Sequence, residues 1–324
     1  MGKRAPIQKI NGIFKGKHIL SLSQFSPKDL EVLFALTKYM REVATNARPS
    51  SVLYGNIVVL LFYEPSSRTF GSFSAAVKQL GGQTVEIQNP QEFSSVAKGE
   101  TLTDTIRVFE AYSDAIVIRH PVAGSAKTAA HMTTYVPIIN AGDGVGEHPT
   151  QALLDLYTIF DQHKRLSNLK CVIAGDIKNG RTVHSLLKGL ALYAGNTVYL
   201  LSPKTLTLEK KELKKYQKSG IIIHQIDTAH DIPKDCDVWY WTRVQKERFK
   251  NLEEYKKVNN AFIVDNKLLK RFGNSHMILM HPLPRVGEIK EEVDNDPRAV
   301  YLRTQVRNGM YIRMALLALV LRKA

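Results

Sequence analysis

Residues 57–80 read IVVLLFYEPSSRTFGSFSAAVKQL. The first six, Ile57–Phe62, are continuously apolar and rich in β-branched side chains. That is the pattern of a strand buried on both faces, and hence of a parallel sheet. Glu64-Pro65-Ser66-Ser67-Arg68-Thr69 then turns the chain, and Phe73, Ala76, Val77 and Leu80 recur at helical spacing until Gly81-Gly82 stops the helix. Upstream, Ser26-Pro27-Lys28-Asp29 carries the signature of another helix start. Ser26 is the N-cap, Pro27 sits in the first turn and Asp29 closes a capping box. Downstream, the short strands Thr84–Ile87, Ala115–Ile118 and Val136–Asn140 alternate with helical stretches around Thr101–Tyr112 and Ser125–Met132. Alternation of this kind predicts a parallel sheet with helices on both faces.

Pro149 opens an amphipathic helix with Leu153, Leu156, Tyr157 and Phe160 on one side, and the alternation then restarts. Cys171–Gly175, Thr197–Leu201, Ile221–His224, Val238–Trp241, Phe262–Val264 and Met277–Met280 read as strands. Thr182–Tyr193 and Leu208–Ser219 read as helices. The expectation is an α/β protein of two doubly wound parallel-sheet domains joined near residue 149. The final helix, about Gly309–Leu321, is apolar nearly all round and must be buried, so it is expected to return to the first domain.

Hydrophobic residues make up 44% of the 324 and charged residues 23%, a globular composition that excludes global disorder. Clean apolar runs such as Ile57–Phe62 and Met314–Leu321 fall far short of the about 20 residues of a membrane span. The first fourteen residues are basic and lack a signal-peptide core, so a cytoplasmic location and no membrane partner are expected. Cys171 and Cys236 supply neither a disulfide framework nor a cysteine-based zinc site. The net charge of +15 calls for an anionic partner, either nucleic acid or a small anion. Lys210, Lys211, Lys214 and Lys215 share one helix face opposite Leu213 and Tyr216, which reads as a solvated face, and nucleic acid is not expected as a partner.

The chemistry sits at strand ends. Ser66, Ser67, Arg68 and Thr69 place hydroxyls and a fixed positive charge at a helix N-terminus, where free N–H groups suit an anion; the alternative is a capped helix with an exposed arginine. Arg119-His120-Pro121 follows a strand, at the place where open α/β sheets bind ligands; the alternative is a loop arginine in a surface ion pair. In Asn140–Gln151, NAGDGVGEHPTQ, a glycine-rich loop delivers His148 to a helix start, with Gln151 one turn on. A helix N-terminus disfavours imidazolium, so a neutral His148 can donate to a polarised carbonyl oxygen; the alternative is a capping histidine. Arg181 and Arg243 follow two later strands and can grip carboxylates as forks. His281-Pro282-Leu283-Pro284-Arg285 is a rigid loop after the last strand. No metal-ligand spacing, Walker loop or serine nucleophile elbow emerges. An arginine-rich crevice without a nucleophile fits group transfer between two small anions by positioning and charge stabilisation.

Taken in order, FYEPSSRT (62–69), KGE (98–100), VIRHP (117–121), NAGDGVGEHPTQALL (140–154), GDIKNGRTVHS (175–185), TRVQKER (242–248), HPLPR (281–285) and NGMYIRMALL (308–317) resemble the aspartate carbamoyltransferase family over most of the chain. Ornithine carbamoyltransferase shares the Ser-x-Arg-Thr and His-Pro-x-Gln elements. However, that family has a cysteine in the late loop, where this chain has His281-Pro282-Leu283-Pro284. The resemblance implies transfer of a carbamoyl group from carbamoyl phosphate to L-aspartate, the committed step of pyrimidine synthesis, with no metal or organic cofactor. It implies a carbamoyl phosphate-binding domain of residues 1–149 with 305–324 and an aspartate-binding domain of residues 150–304. In it Ser66, Ser67, Arg68 and Thr69 hold the phosphate, while Thr69, Arg119 and His148 polarise the carbamoyl oxygen. Gln151 and the backbone carbonyls of Leu283 and Pro284 orient the carbamoyl amide. Lys98, Arg181, Arg243 and Gln245 bind L-aspartate. Ser94 and Lys98 come from a neighbouring subunit of a homotrimer with shared sites, and Glu64 pairs with Arg181 and Arg248 on domain closure. Phe70 and Ala97 depart from many bacterial relatives, which carry arginine and lysine there; neither removes a residue named above.

Overall fold

A computed structural model describes residues 7–46, 50–246, 249, 251–258 and 261–321. The chain divides into two compact units, one of residues up to Leu154 together with those from Arg307 onward, the other Asp155–Val306.

In the first unit α1 (Pro27–Thr45) precedes β1 (Ile57–Phe62), α2 (Ser67–Gln79), β2 (Gln83–Gln88), α3 (Pro90–Phe93), α4 (Leu102–Glu110), β3 (Ala115–His120), α5 (Ser125–Met132), β4 (Ile138–Asp143) and the start of α6 (Pro149–His163). The capping box of α1 forms as expected: Ser26 Oγ accepts from Asp29 N–H, and Asp29 accepts from Ser26 N–H at 2.7 Å. The strands lie in the order β2-β1-β3-β4, all parallel. From β1 the chain goes to one side for β2 and to the other for β3. The switch point, where a crevice opens beyond the carboxyl ends, therefore lies between β1 and β3. β3 is longer than its apolar run. Tyr63 N–H donates to Arg119 O at 2.8 Å, and Phe62 pairs with Arg119 in register, so Arg119 belongs to the strand and not to a following loop.

The second unit continues with β5 (Lys170–Ala174), α7 (Arg181–Leu190), β6 (Thr197–Leu201), α8 (Lys210–Lys218), β7 (Ile222–Ile226), β8 (Val238–Trp241), α9 (Leu252–Val258), α10 (Asn266–Phe272) and β9 (Ile278–Met280). The order β7-β6-β5-β8-β9, again all parallel, puts the switch point between β5 and β8. Trp239 and Trp241 fill one face of this sheet with Val172, Ala174 and Leu279. Phe262–Val264, expected as a strand, forms only an isolated bridge of Val264 to Ile289. Asp265 ends it by capping α10, its carboxylate accepting from Leu268 N–H at 2.7 Å.

The last helix, α11 (Val306–Val320), belongs to the first unit from Arg307 onward. Ile312, Leu316 and Leu317 are wholly buried, each contributing about 1.5–3 kcal/mol. Arg313 donates to Ser72 Oγ at 3.0 Å and lies over the Phe73 ring, which ties α11 to α2 directly behind the Ser66–Thr69 turn. On α8 the lysines are exposed and Tyr216 is buried, a solvated basic face as read from the sequence.

Gly175 ends β5 at φ +116°, where an added Cβ would meet Thr242 O at 2.1 Å. Gly12 also has positive φ, +76°, but has nothing within 4 Å of such a Cβ. Gly12→Ala should cost about 1 kcal/mol, the strain of a left-handed L-residue. Gly175→Ala should cost about 3 kcal/mol or more, because the carbonyl must also move. Urea denaturation of both variants checks this, and equal costs would contradict the close approach of the β5 and β8 ends.

Candidate active site

The turn after β1 is built to leave donors available. α2 begins at Ser67, and its N-cap Ser66 makes no capping hydrogen bond with its side chain. The first N–H groups of a helix have no intrahelical acceptor and carry the positive end of its dipole. Ser67 and Arg68 are exposed, Ser66 is half-buried, and Thr69 is buried at 7% exposure.

Arg119, one strand over, is also buried. Its Nη1 lies 3.3 Å from Ala141 O and its Nη2 3.4 Å from Glu64 Oε1. Both are longer than the ~2.7–2.9 Å of a tight charge-assisted bond. Glu64 thus meets Arg119 within its own unit; Arg248, one of its expected closure partners, lies outside the described residues.

The glycine-rich loop after β4 is held from inside by Asp143. One carboxylate oxygen accepts from Glu147 N–H at 2.9 Å and from Asn140 Nδ2 at 3.3 Å; the other accepts from Gly124 N–H at 2.9 Å. Glu147 in turn accepts from Ser21 Oγ at 2.8 Å and Leu22 N–H at 3.2 Å. This frame delivers His148, 4% exposed, to the start of α6, where its carbonyl accepts from Gln151 N–H at 3.0 Å and Ala152 N–H at 3.2 Å. Its Nδ1 lies 3.5 Å from Thr150 Oγ1. Ser94 caps a short 3-10 turn, Ser95–Lys98, and accepts from Val96 N–H at 3.2 Å. Lys98 is exposed at the end of that turn, which Glu100 braces by accepting from Ser95 Oγ at 2.6 Å and Thr105 Oγ1 at 2.9 Å.

In the second unit a fully buried Asp176 joins the ends of β5 and β8. It accepts from Asn179 N–H at 3.0 Å, and its other oxygen accepts from Gln245 N–H at 3.4 Å. Gln245 Nε2 donates back to Asn179 O at 3.1 Å. Arg181, the first residue of α7, and Arg243 flank this knot, and both are half-buried. After β9, His281 holds the loop that carries Leu283 and Pro284: its Nδ1 accepts from Leu283 N–H at 2.8 Å, and its Nε2 lies 2.7 Å from Glu288 Oε1. Burial pushes the Glu288 carboxyl upward, but the hydrogen bonds from His281 and from backbone N–H groups outweigh it and hold it below the ordinary range.

Three carboxylates were missed by the motif reading: Asp143, Asp176 and Glu288. A signal for two of them is present in the sequence. Ala-Gly-Asp recurs at residues 141–143 and 174–176, each time ending a strand, with Gly142 and Gly175 both at φ +116°. Three residues are too few to read as a repeat. Among the described residues, no group of three or more His, Cys, Asp or Glu side chains could hold a metal ion.

Two parallel α/β units with hydroxyls and arginines at their switch points define a protein class that handles small anions. Residues 17–161 match the family "Aspartate/ornithine carbamoyltransferase, carbamoyl-P binding domain" and residues 167–320 match "Aspartate/ornithine carbamoyltransferase, Asp/Orn binding domain". The chain belongs to the aspartate/ornithine carbamoyltransferase family. The chloroplastic aspartate carbamoyltransferase 1 of Pisum sativum is 44% identical over 319 residues, 98% of this chain and 82% of that protein. The multifunctional protein pyr1-3 of Dictyostelium discoideum is 47% identical over 94% of this chain, which spans 13% of that protein. The structure of Trypanosoma cruzi aspartate transcarbamoylase in complex with carbamoyl phosphate and aspartate superposes with a TM-score of 0.87 at 41% identity, covering 97% of this chain and 99% of that one.

Burial lowers the pKa of His120, whose ring lies 2.9 Å from Ser125 Oγ through Nδ1, against the opposing pull of Asp143 and Glu64. A histidine with a lowered folded pKa binds its proton more weakly than the unfolded chain does. Stability should therefore fall as pH drops from the ordinary value of 6.5 to the lower folded value. The His120 ring resonances should titrate below 6.5, and His120→Asn should flatten this part of the stability–pH curve. A midpoint at or above 6.5 would contradict the assignment.

Proposed function

We propose that this chain transfers the carbamoyl group of carbamoyl phosphate to the amine of L-aspartate, giving N-carbamoyl-L-aspartate and phosphate. The observation that carries the reading is the first unit's switch point, where the open N-terminus of α2 adjoins the buried Arg119. In this reading Ser66, Ser67, Arg68 and Thr69 bind the phosphate. Thr69, Arg119 and His148 donate to the carbamoyl oxygen, where negative charge grows as the amine attacks. Gln151 and the carbonyls of Leu283 and Pro284 accept from the carbamoyl amide and fix its plane. Arg181, Arg243 and Gln245 hold the two carboxylates of aspartate. The deprotonated amine forms the new C–N bond, the C–O bond to phosphate breaks, and the leaving phosphate carries the bonding electrons and accepts a proton. The pairing of Glu64 with Arg181 and Arg248 on closure belongs to the same proposal.

The reading also includes a homotrimer in which Ser94 and Lys98 reach the neighbouring chain's site. The exposed, internally braced Ser95–Lys98 turn supports this, because a cation that serves another subunit must leave its own surface. A heterologous interface that closes at three presents the same turn to each neighbour.

Product analysis with carbamoyl phosphate and either aspartate or ornithine tests the reaction. Carbamoyl transfer should require aspartate, and transfer to ornithine alone would overturn the reading. Arg119→Ala and His148→Ala should chiefly lower kcat, each by about 2.7–4 kcal/mol of transition-state stabilisation. Arg243→Ala should chiefly raise KM for aspartate, since the carboxylate it holds is charged throughout the reaction. An unchanged aspartate saturation curve would remove Arg243 from the site.

The shared site predicts complementation. Lys98→Ala and His148→Ala should each be nearly inactive alone. Dissociated, mixed and reassembled, they should recover activity at interfaces that pair a normal Lys98 turn with a normal His148. Verified mixed trimers without recovery would refute sharing while leaving the reaction itself intact.

A further inference from the structure

The loop after β9 is fixed from several directions at once. Gln305 Oε1 accepts from His281 N–H at 3.0 Å, and Gln305 Nε2 donates to the fully buried Asp155 at 2.7 Å. The His281 ring, 2% exposed, accepts from Leu283 N–H on one side and meets Glu288 on the other. Glu288 also accepts from Val286 N–H at 3.0 Å, and Arg285 is paired bidentate with Asp294. Leu283 stands at φ +49°, a left-handed conformation costly for a branched residue. A surface loop with no task would not need its backbone held this way by a buried imidazole.

The bonds settle the tautomer. Nδ1 faces an N–H donor and must be unprotonated, so the ring proton is on Nε2 and is donated to Glu288. Glu288 selects this tautomer, and the tautomer supplies the acceptor that binds Leu283 N–H.

We infer that His281, oriented by Glu288, is a positioning residue for carbamoyl transfer: through Leu283 N–H it aims the backbone carbonyls of Leu283 and Pro284 at the carbamoyl amide. The inference rests on the proposed function, which assigns those carbonyls to that amide. It makes a distinction that a merely structural histidine would not. Inorganic phosphate has no amide, so its binding does not use the two carbonyls, whereas binding of carbamoyl phosphate does.

The test is calorimetric binding of each ligand to the intact protein and to two variants. His281→Gln places an amide near Nε2, keeps a donor for Glu288 and loses the acceptor for Leu283 N–H. His281→Asn places an amide oxygen near Nδ1 and keeps that acceptor. His281→Gln should bind carbamoyl phosphate about tenfold more weakly, as expected for one or two lost hydrogen bonds. Its binding of inorganic phosphate should be unchanged, and its kcat should fall. His281→Asn should retain most of the affinity for carbamoyl phosphate. An unchanged ratio of the two affinities in His281→Gln, or equal loss of both ligands, overturns the inference. Should either variant not fold, 15N-histidine spectra of the unaltered protein decide. The His281 Nδ1 resonance should have the shift of an unprotonated acceptor and should move with carbamoyl phosphate but not with phosphate; a protonated Nδ1, or equal movement with both, overturns it. If the unaltered protein binds carbamoyl phosphate but transfers nothing to aspartate, the proposed function fails, and the binding ratio still judges His281.

Discussion

A strand buried on both faces can offer polar chemistry only where its hydrogen-bond ladder ends. Val58–Phe62 and Ala115–Ile118 are wholly buried, as are Val172–Ala174 and Val238–Tyr240. Because every pairing in both sheets is parallel, the carboxyl ends within one sheet point the same way. The loops after β1, β3 and β4 therefore gather at one edge of the first unit, and those after β5, β8 and β9 at one edge of the second. Where the strand order reverses, the two flanking loops lead away from each other and leave room between them. The arginines and hydroxyls singled out above stand at or beside these places.

Loops that carry arginines need a rigid frame, and here the frame is made of buried carboxylates. An ionised carboxylate is costly to bury unless several N–H groups face it. Asp143 and Asp176 meet that condition by accepting from backbone and side-chain donors of their own and neighbouring loops, and Glu288 by accepting from His281 and Val286 N–H. In each case the donors that stabilise the carboxylate include groups of the loop it shapes. The frame is thus coupled to the site: loss of the carboxylate would strand donors as well as release a loop.

The excess positive charge has a parallel explanation. Part of it lies on the exposed face of α8, where Lys210, Lys211, Lys214 and Lys215 are solvated. Another part is concentrated near strand ends in Arg68, Arg119, Arg181 and Arg243, where it suits small, doubly charged anions. A positive field of this kind also raises the encounter rate of anionic substrates, so the charge needs no polyanion to account for it.

The sequence alone determined the class of fold and most of the chemistry. Continuous apolar runs, helix caps and glycine stops depend on neighbours within a few residues, so IVVLLF, SPKD and the turn EPSSRT could be read directly. The order of the motifs was equally legible, because each follows its strand. Tertiary structure decided what depends on distant partners. Arg119 joins its strand only because Tyr63 pairs with it, and Val264 stays outside the sheet because Asp265 turns to cap a helix. The two sheet orders, and with them the switch points, follow from which strand each crossover returns to. Glu288 looks like any other acidic residue in one dimension, and the Ala-Gly-Asp shared by Asp143 and Asp176 is too short to stand out. Their importance comes from burial against N–H groups two or more residues away, or in another loop, and burial is a property of the folded chain, not of the local sequence.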